Sequence, residues 1–163
     1  MKRVLLAAIV CLMAATTYGQ TYNTALGIRV GGTSGVAVKH FYKNQMAWEG
    51  QLGVFGNGTS ITGLVMKHGN AFSTPGLRYY AGGGAHLAFY NGRSYSTRLG
   101  RDITYYQTDA VAIGVNGILG LEYILADIPL GISFDLKPFM EVGPGGHLGF
   151  SPDPSIGIKF IIH

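Results

Sequence analysis

The chain has 163 residues, of which 12% are charged and 47% hydrophobic, with 26 glycines and a single cysteine. Soluble domains carry roughly 25% charged residues, so a chain this sparsely charged is poorly suited to an all-round aqueous surface. The formal charge of +4 includes Lys2 and Arg3, and without them ten Lys or Arg face eight Asp or Glu, a balance that leaves no basic patch for nucleic acid.

Residues 1–20 read as a secretory signal peptide. Lys2-Arg3 form the positive start, Val4 to Ala15 the apolar stretch, and Thr16-Thr17-Tyr18-Gly19-Gln20 the exit. The apolar stretch is shorter than the roughly 20 residues that a membrane-spanning helix needs. Cleavage is therefore expected between Gly19 and Thr21. Cys11 lies inside this leader, and Ala8-Ile9-Val10 ahead of it lacks the small neighbour of a lipoprotein cysteine. The remaining domain, residues 21–163, then offers no disulfide, thiol metal ligand or cysteine nucleophile, and its length suits one core.

Beyond the leader, apolar residues recur at every second position, the mark of strands with two unlike faces. Eight strands are expected. The first spans Thr24 to Gly31 and turns at Gly32-Thr33-Ser34-Gly35 into the second, Val36 to Tyr42. The third, Met46 to Phe55, leads through the hairpin signal Gly56-Asn57-Gly58 into the fourth, Ser60 to His68. Gly69 to Pro75 connects to the fifth, Leu77 to Tyr90; the sixth covers Val111 to Leu125 and the seventh Leu130 to Glu141. The eighth runs from Ser155 to the end. Alternating segments of this length behind an export signal point to an all-β, antiparallel up-and-down transmembrane barrel of about eight strands. The two longest connections, Asn91 to Ala110 and Val142 to Pro154, fall on the same side, as expected for extracellular loops.

Parity assigns one face to lipid and one to the lumen. The lipid set includes Leu26, Ile28, Leu52, Leu64, Met66, Leu119, Phe134 and Ile158, with Trp48, Tyr42, Tyr79, Phe89 and Tyr123 as interfacial aromatics. The lumenal set holds Arg29, Lys39, Glu49, Lys67, Arg78, Glu122, Asp135, Lys137, Glu141 and Lys159, together with Gln51, Tyr80, His86, Asn116 and several glycines. An eight-stranded barrel is only just wide enough to be filled by side chains. Six cations and four anions are thus expected to pair across the interior as a structural polar network.

Glu122, Asp135, Glu141 and His86 are residue types that can carry acid-base chemistry, yet no Ser/His/acid spacing accompanies them. His40, His68, His147 and His163 are scattered, so neither a metal nor a cofactor is expected. Gly143-Pro144-Gly145-Gly146 lacks the Lys-Ser/Thr of a phosphate loop. The functional candidate is the connection Asn91 to Ala110, where Arg93, Arg98 and Arg101 with Tyr95, Tyr105 and Tyr106 suit lipopolysaccharide phosphates, anionic sugars or a protein surface.

Gly35-Val36-Ala37-Val38-Lys39-His40-Phe41, Gly82-Gly83-Gly84-Ala85-His86, Gly117-Ile118-Leu119-Gly120-Leu121-Glu122-Tyr123 and the terminal strand resemble small outer-membrane β-barrels of Gram-negative bacteria. The architecture resembles the eight-stranded OmpA and OmpX class, in versions found in Bacteroidetes. The resemblance implies an outer-membrane location, contact with outer-membrane lipid, lipopolysaccharide and the barrel-assembly machinery, and no shared catalytic residues. One departure is the terminus, Phe160-Ile161-Ile162-His163, where such barrels end in an aromatic residue. The expected role is non-enzymatic: structural, or adhesion and host contact through surface loops. Two other readings stand beside it. One is a soluble exported barrel of lipocalin type with a small apolar ligand inside. The other is a lipid-modifying barrel enzyme, with His68 beside the outward row as its only hint.

Overall fold

The computed structural model describes residues 23–162, other than 57, 73, 92–94, 97–102, 105–108 and 147. The leader therefore lies outside the described residues. Strands β1 (Thr24–Gly31), β2 (Ser34–Lys43), β3 (Met46–Phe55), β4 (Gly58–Asn70) and β5 (Leu77–Tyr90) follow in succession. Two short strands, β6 (Tyr95–Ser96) and β7 (Ile103–Thr104), pair with each other, and β8 (Ala110–Ile124), β9 (Leu130–Val142) and β10 (Leu148–Ile162) complete the chain.

Eight strands close into an antiparallel up-and-down barrel in the order β1-β10-β9-β8-β5-β4-β3-β2. Closure of β1 on β10 brings Thr24 opposite Ile162 and Gly31 opposite Ser155, which removes both sheet edges. The strand starting at Thr24 and the strand ending at Ile162 thus share one end of the barrel, here called the terminal end. The turns at Asn44-Gln45, Ala71–Gly76 and Leu125–Pro129 lie there too, and the β5–β8 connection lies at the opposite, loop end.

The period of two has its expected physical result. Along β8, Val111, Ile113, Val115, Leu119 and Leu121 are exposed, whereas Ala112, Gly114, Asn116, Ile118, Gly120 and Glu122 are buried. The same inversion holds around the barrel: the outside is apolar, and most of the buried large side chains are polar or charged. Apolar side chains inside form three small groups. Ala25, Phe41, Ala47 and Ile161, with Ile124 against them, fill the terminal end. Leu64, Met66, Tyr80 and Ile118 pack further in, and Ala88, Tyr90, Ala110 and Ala112, joined by Phe55, lie toward the loop end.

Two parts of the sequence reading are corrected here. In β4 the faces are exchanged: Leu64 and Met66 point inward and Lys67 outward. Directly opposed residues of a ladder share a face, and Glu49, which is buried, pairs with Leu64. Both parities of Ile61-Thr62-Gly63-Leu64-Val65-Met66 are apolar, so alternation alone could not choose between them. The second correction concerns β10, which begins at Leu148 rather than Ser155, so that residues 143–147 are a short turn containing a 3₁₀ segment, Pro144–Gly146. Pro152 faces Pro138 across the β9–β10 ladder, so two residues without N–H donors share one rung. Of the two long loops expected, only the β5–β8 connection is long.

Candidate functional site

The buried lumen carries a continuous ionic network. Arg29 donates from Nη2 to Asp135 Oδ1 at 3.1 Å and to Ser155 Oγ at 2.7 Å, and the Tyr80 hydroxyl donates to the other Asp135 oxygen at 2.9 Å. Asp153 Oδ2 lies 3.9 Å from Arg29 and 3.3 Å from Lys137 Nζ. Lys137 donates to Gln51 Oε1 at 3.0 Å, and Gln51 donates to Glu49 at 2.7 Å. Glu49 accepts Lys159 at 3.2 Å and lies 3.7 Å from Lys39, and both lysines also meet Glu122, at 3.4 and 3.0 Å.

Four cations (Arg29, Lys39, Lys137, Lys159) therefore meet four anions (Glu49, Glu122, Asp135, Asp153) in two groups of four that Gln51 joins into one set. Moving an ion from water to a protein interior costs several kcal/mol, and mutual pairing with extra hydrogen bonds is what offsets it. Tyr80 serves this set twice, through its hydroxyl and through its ring. Lys39 Nζ sits 4.6 Å and Lys159 Nζ 5.6 Å from the ring centroid, within cation–π range. His68 stacks on the same ring at 5.3 Å and its Nε2 lies 3.3 Å from Lys39 Nζ.

A second cluster lies apart from the first. His86 contacts Asn116 Oδ1 through Nδ1 at 2.7 Å and Glu141 Oε2 through Nε2 at 3.0 Å; the Tyr90 hydroxyl donates to Glu141 Oε1 at 2.5 Å. Phe139 packs edge-on against the imidazole at 5.2 Å. This grouping holds the buried Glu141 carboxylate through two neighbours, His86 and Tyr90, with no Ser or Cys nucleophile among its members.

Of the expected lumenal charges, Arg29, Lys39, Glu49, Glu122, Asp135, Lys137, Glu141 and Lys159 are buried inside. Arg78 is half-buried opposite Glu122 in the β5–β8 register. Lys67 is on the outer wall. Sequence reasoning missed Asp153 because it placed residues 142–154 in a loop; its parity with Ser155, Gly157 and Lys159 was the available signal. His68 is buried at 3% exposure and faces the lumen, so it is no lipid-facing base.

Arg93, Arg98, Arg101, Tyr105 and Tyr106 lie outside the described residues. Tyr95 is placed through its backbone, opposite Thr104 in the β6–β7 ladder. Among the described residues, no group of three or more His, Cys, Asp or Glu could hold a metal ion. Comparison with known proteins gives no matching family model and no matching curated protein.

Proposed function

We propose that the chain is a non-enzymatic integral outer-membrane barrel that presents the Asn91–Ala110 connection as a contact surface, in adhesion or host contact or as a structural component. The observation that carries this reading is the inversion of the wall. Leu26, Ile28, Leu52, Ile113, Leu119, Phe134, Ile156 and other large apolar side chains stand exposed on the outside, while eight ionised groups pair inside. Such a surface suits hydrocarbon and is unfavourable in water, because exposed apolar area of this extent drives association. Strands of 13 to 15 residues in β5, β8, β9 and β10 exceed the roughly 9–11 that a tilted strand needs to cross a bilayer.

A lipocalin-type reading requires an apolar lumen, and this lumen is filled by ion pairs. A lipid-modifying enzyme would need a lipid-facing Ser/His/acid site, and His68, the one hint of it in the sequence, points inward. Partners follow from the location: outer-membrane lipid, lipopolysaccharide and the assembly machinery, with no nucleic acid.

Expression of the full chain in a Gram-negative host, followed by gel comparison of boiled and unboiled membrane fractions, tests the location. Faster migration of the unboiled sample in the outer-membrane fraction supports it, and recovery as a soluble periplasmic protein without a heat-dependent shift overturns it. Replacing Arg93, Arg98 and Arg101 by serine should lower retention on immobilised lipopolysaccharide; unchanged retention would refute the loop's assigned role.

A further inference from the structure

The outer wall has one exception to its apolar character. Among the described residues, Lys67 is the only charged side chain at an outward strand position apart from Lys43 at the last position of β2. It lies three residues before the end of β4, close to the terminal rim. A lysine at the bilayer midplane would cost about 2–4 kcal/mol, falling to about 0–1 near the interface, so its position near a rim is where such a group is tolerated.

Its neighbours form a patch suited to an interface. Lys67 pairs with Met46 on β3 and Ala81 on β5, which makes Trp48 and Tyr79 its diagonal neighbours. Trp48 and Tyr79 are both exposed, and the Tyr79 ring leans over Gly69. His40 lies opposite Trp48 on β2, ring centroids 5.7 Å apart, and its Nδ1 is engaged by Thr24 Oγ1 at 3.0 Å. The other ring nitrogen, Nε2, remains for a ligand. The same β4–β5 hairpin carries Phe72, 84% exposed, at its turn.

We propose that this patch binds the phosphate headgroup of an anionic glycerophospholipid in the leaflet at the terminal end. Lys67 Nζ would donate to the phosphate oxygens, His40 Nε2 would add a second polar contact, and Trp48 and Tyr79 would lie at the level of the glycerol esters, where amphipathic rings settle. The charge complementarity is local: Lys67 and, at the rim, Lys43, which flanks the same Met46 from β2, are the exposed cations of an otherwise uncharged wall among the described strand residues, and they favour a lipid with net negative charge. The proposal rests on the membrane reading above.

Trp48 is the only tryptophan of the chain, so its fluorescence reports on this patch alone. The protein is reconstituted in mixed phosphatidylcholine and phosphatidylglycerol vesicles, with bromine on the acyl chains of one lipid or the other. Bromo-phosphatidylglycerol should displace phosphatidylcholine around Trp48 with a relative binding constant of about five, the equivalent of about 1 kcal/mol for one lysine at an anionic surface. Lys67→Gln should bring that ratio to about one and Lys67→Arg should keep it, each variant retaining its heat-dependent gel shift. Equal quenching of the unaltered protein by both lipids overturns the headgroup site while leaving the membrane reading standing. A preference that persists in Lys67→Gln overturns the assignment to Lys67. Absence of quenching by either lipid overturns the membrane reading itself.

Discussion

Asp153 and Lys137 stand directly opposite each other in the β9–β10 ladder, both inward, with Lys137 Nζ 3.3 Å from Asp153 Oδ2. This rung joins two parts of the lumen: Lys137 reaches Gln51 across the barrel, and the other Asp153 oxygen accepts the Thr33 backbone N–H at 2.6 Å, in the β1–β2 turn. The pair thus ties the wall opposite β3 to the turn that closes β1 on β2.

Asp153→Ala should destabilise the barrel by about 3–5 kcal/mol, because it leaves Lys137 buried without its carboxylate. The midpoint of urea unfolding in lipid vesicles measures this. Asp153→Leu combined with Lys137→Met should cost clearly less than the sum of the two single changes, since the second removes the orphaned charge.

Lys67 and Lys159 have the same chemistry on opposite faces. Lys159→Leu strips Glu49 and Glu122 of a shared cation and should cost about 3–5 kcal/mol. Lys67→Leu should leave stability unchanged or raise it by up to about 1 kcal/mol. Comparable losses from both variants in the same unfolding assay would contradict the face assignment in β4.

Backbone packing separates two glycines of the β4–β5 hairpin. A Cβ added at Gly84 would collide with the Gly63 carbonyl oxygen on the neighbouring strand, whereas a Cβ at Gly63 itself meets nothing within 4 Å. Gly84→Val should therefore cost about 1–3 kcal/mol or more through forced strand separation, and Gly63→Ala should be close to neutral. Loss of the heat-dependent gel shift in the first variant and its retention in the second is the expected pattern.

The two lumenal clusters share no residue. Glu141→Leu removes the acceptor of the Tyr90 hydroxyl and the partner of His86, an expected loss of about 1–3 kcal/mol. Combined with Asp153→Ala, its effect should add within about 0.5 kcal/mol, as for independent sites. A strong departure from additivity in the unfolding midpoints would join the clusters into one.

Much of this architecture was legible because outward-facing and lumen-facing positions differ so sharply in β8, β9 and the second half of β10. There, most Ile, Leu and Phe residues at outward positions are followed by Gly, Ser or a charge, as in Ile132-Ser133-Phe134-Asp135-Leu136-Lys137, and one parity is favoured. β4 failed for the opposite reason: Leu64, Val65 and Met66 are consecutive apolar residues, and only cross-strand pairing with Glu49 decides which turn inward. Asp153 was hidden by Pro152 and Pro154, which read as loop residues until Pro138 is seen to occupy the facing position. With Lys67 moved out and Asp153 brought in, the expected six cations against four anions become five against five, Arg78 and Glu141 included. The arginine and tyrosine content of the β5–β8 connection was legible as composition, but pairing between lumenal charges depends on closure of the barrel, which no local pattern encodes.

The central claim, an apolar wall facing lipid around a charged interior, is tested most directly by a cysteine scan along β8. Removing Cys11 leaves a cysteine-free background. Single cysteines at positions 111 to 121 of the vesicle-reconstituted protein are labelled with a polarity-sensitive fluorophore. Labels at 111, 113, 115, 119 and 121 should report a hydrocarbon environment and be quenched by brominated acyl chains, with 112, 116 and 118 resisting labelling or escaping quenching. Quenching at 112, 116 and 118 with water-like emission at 113, 115 and 119, or no alternation at all, would contradict the account.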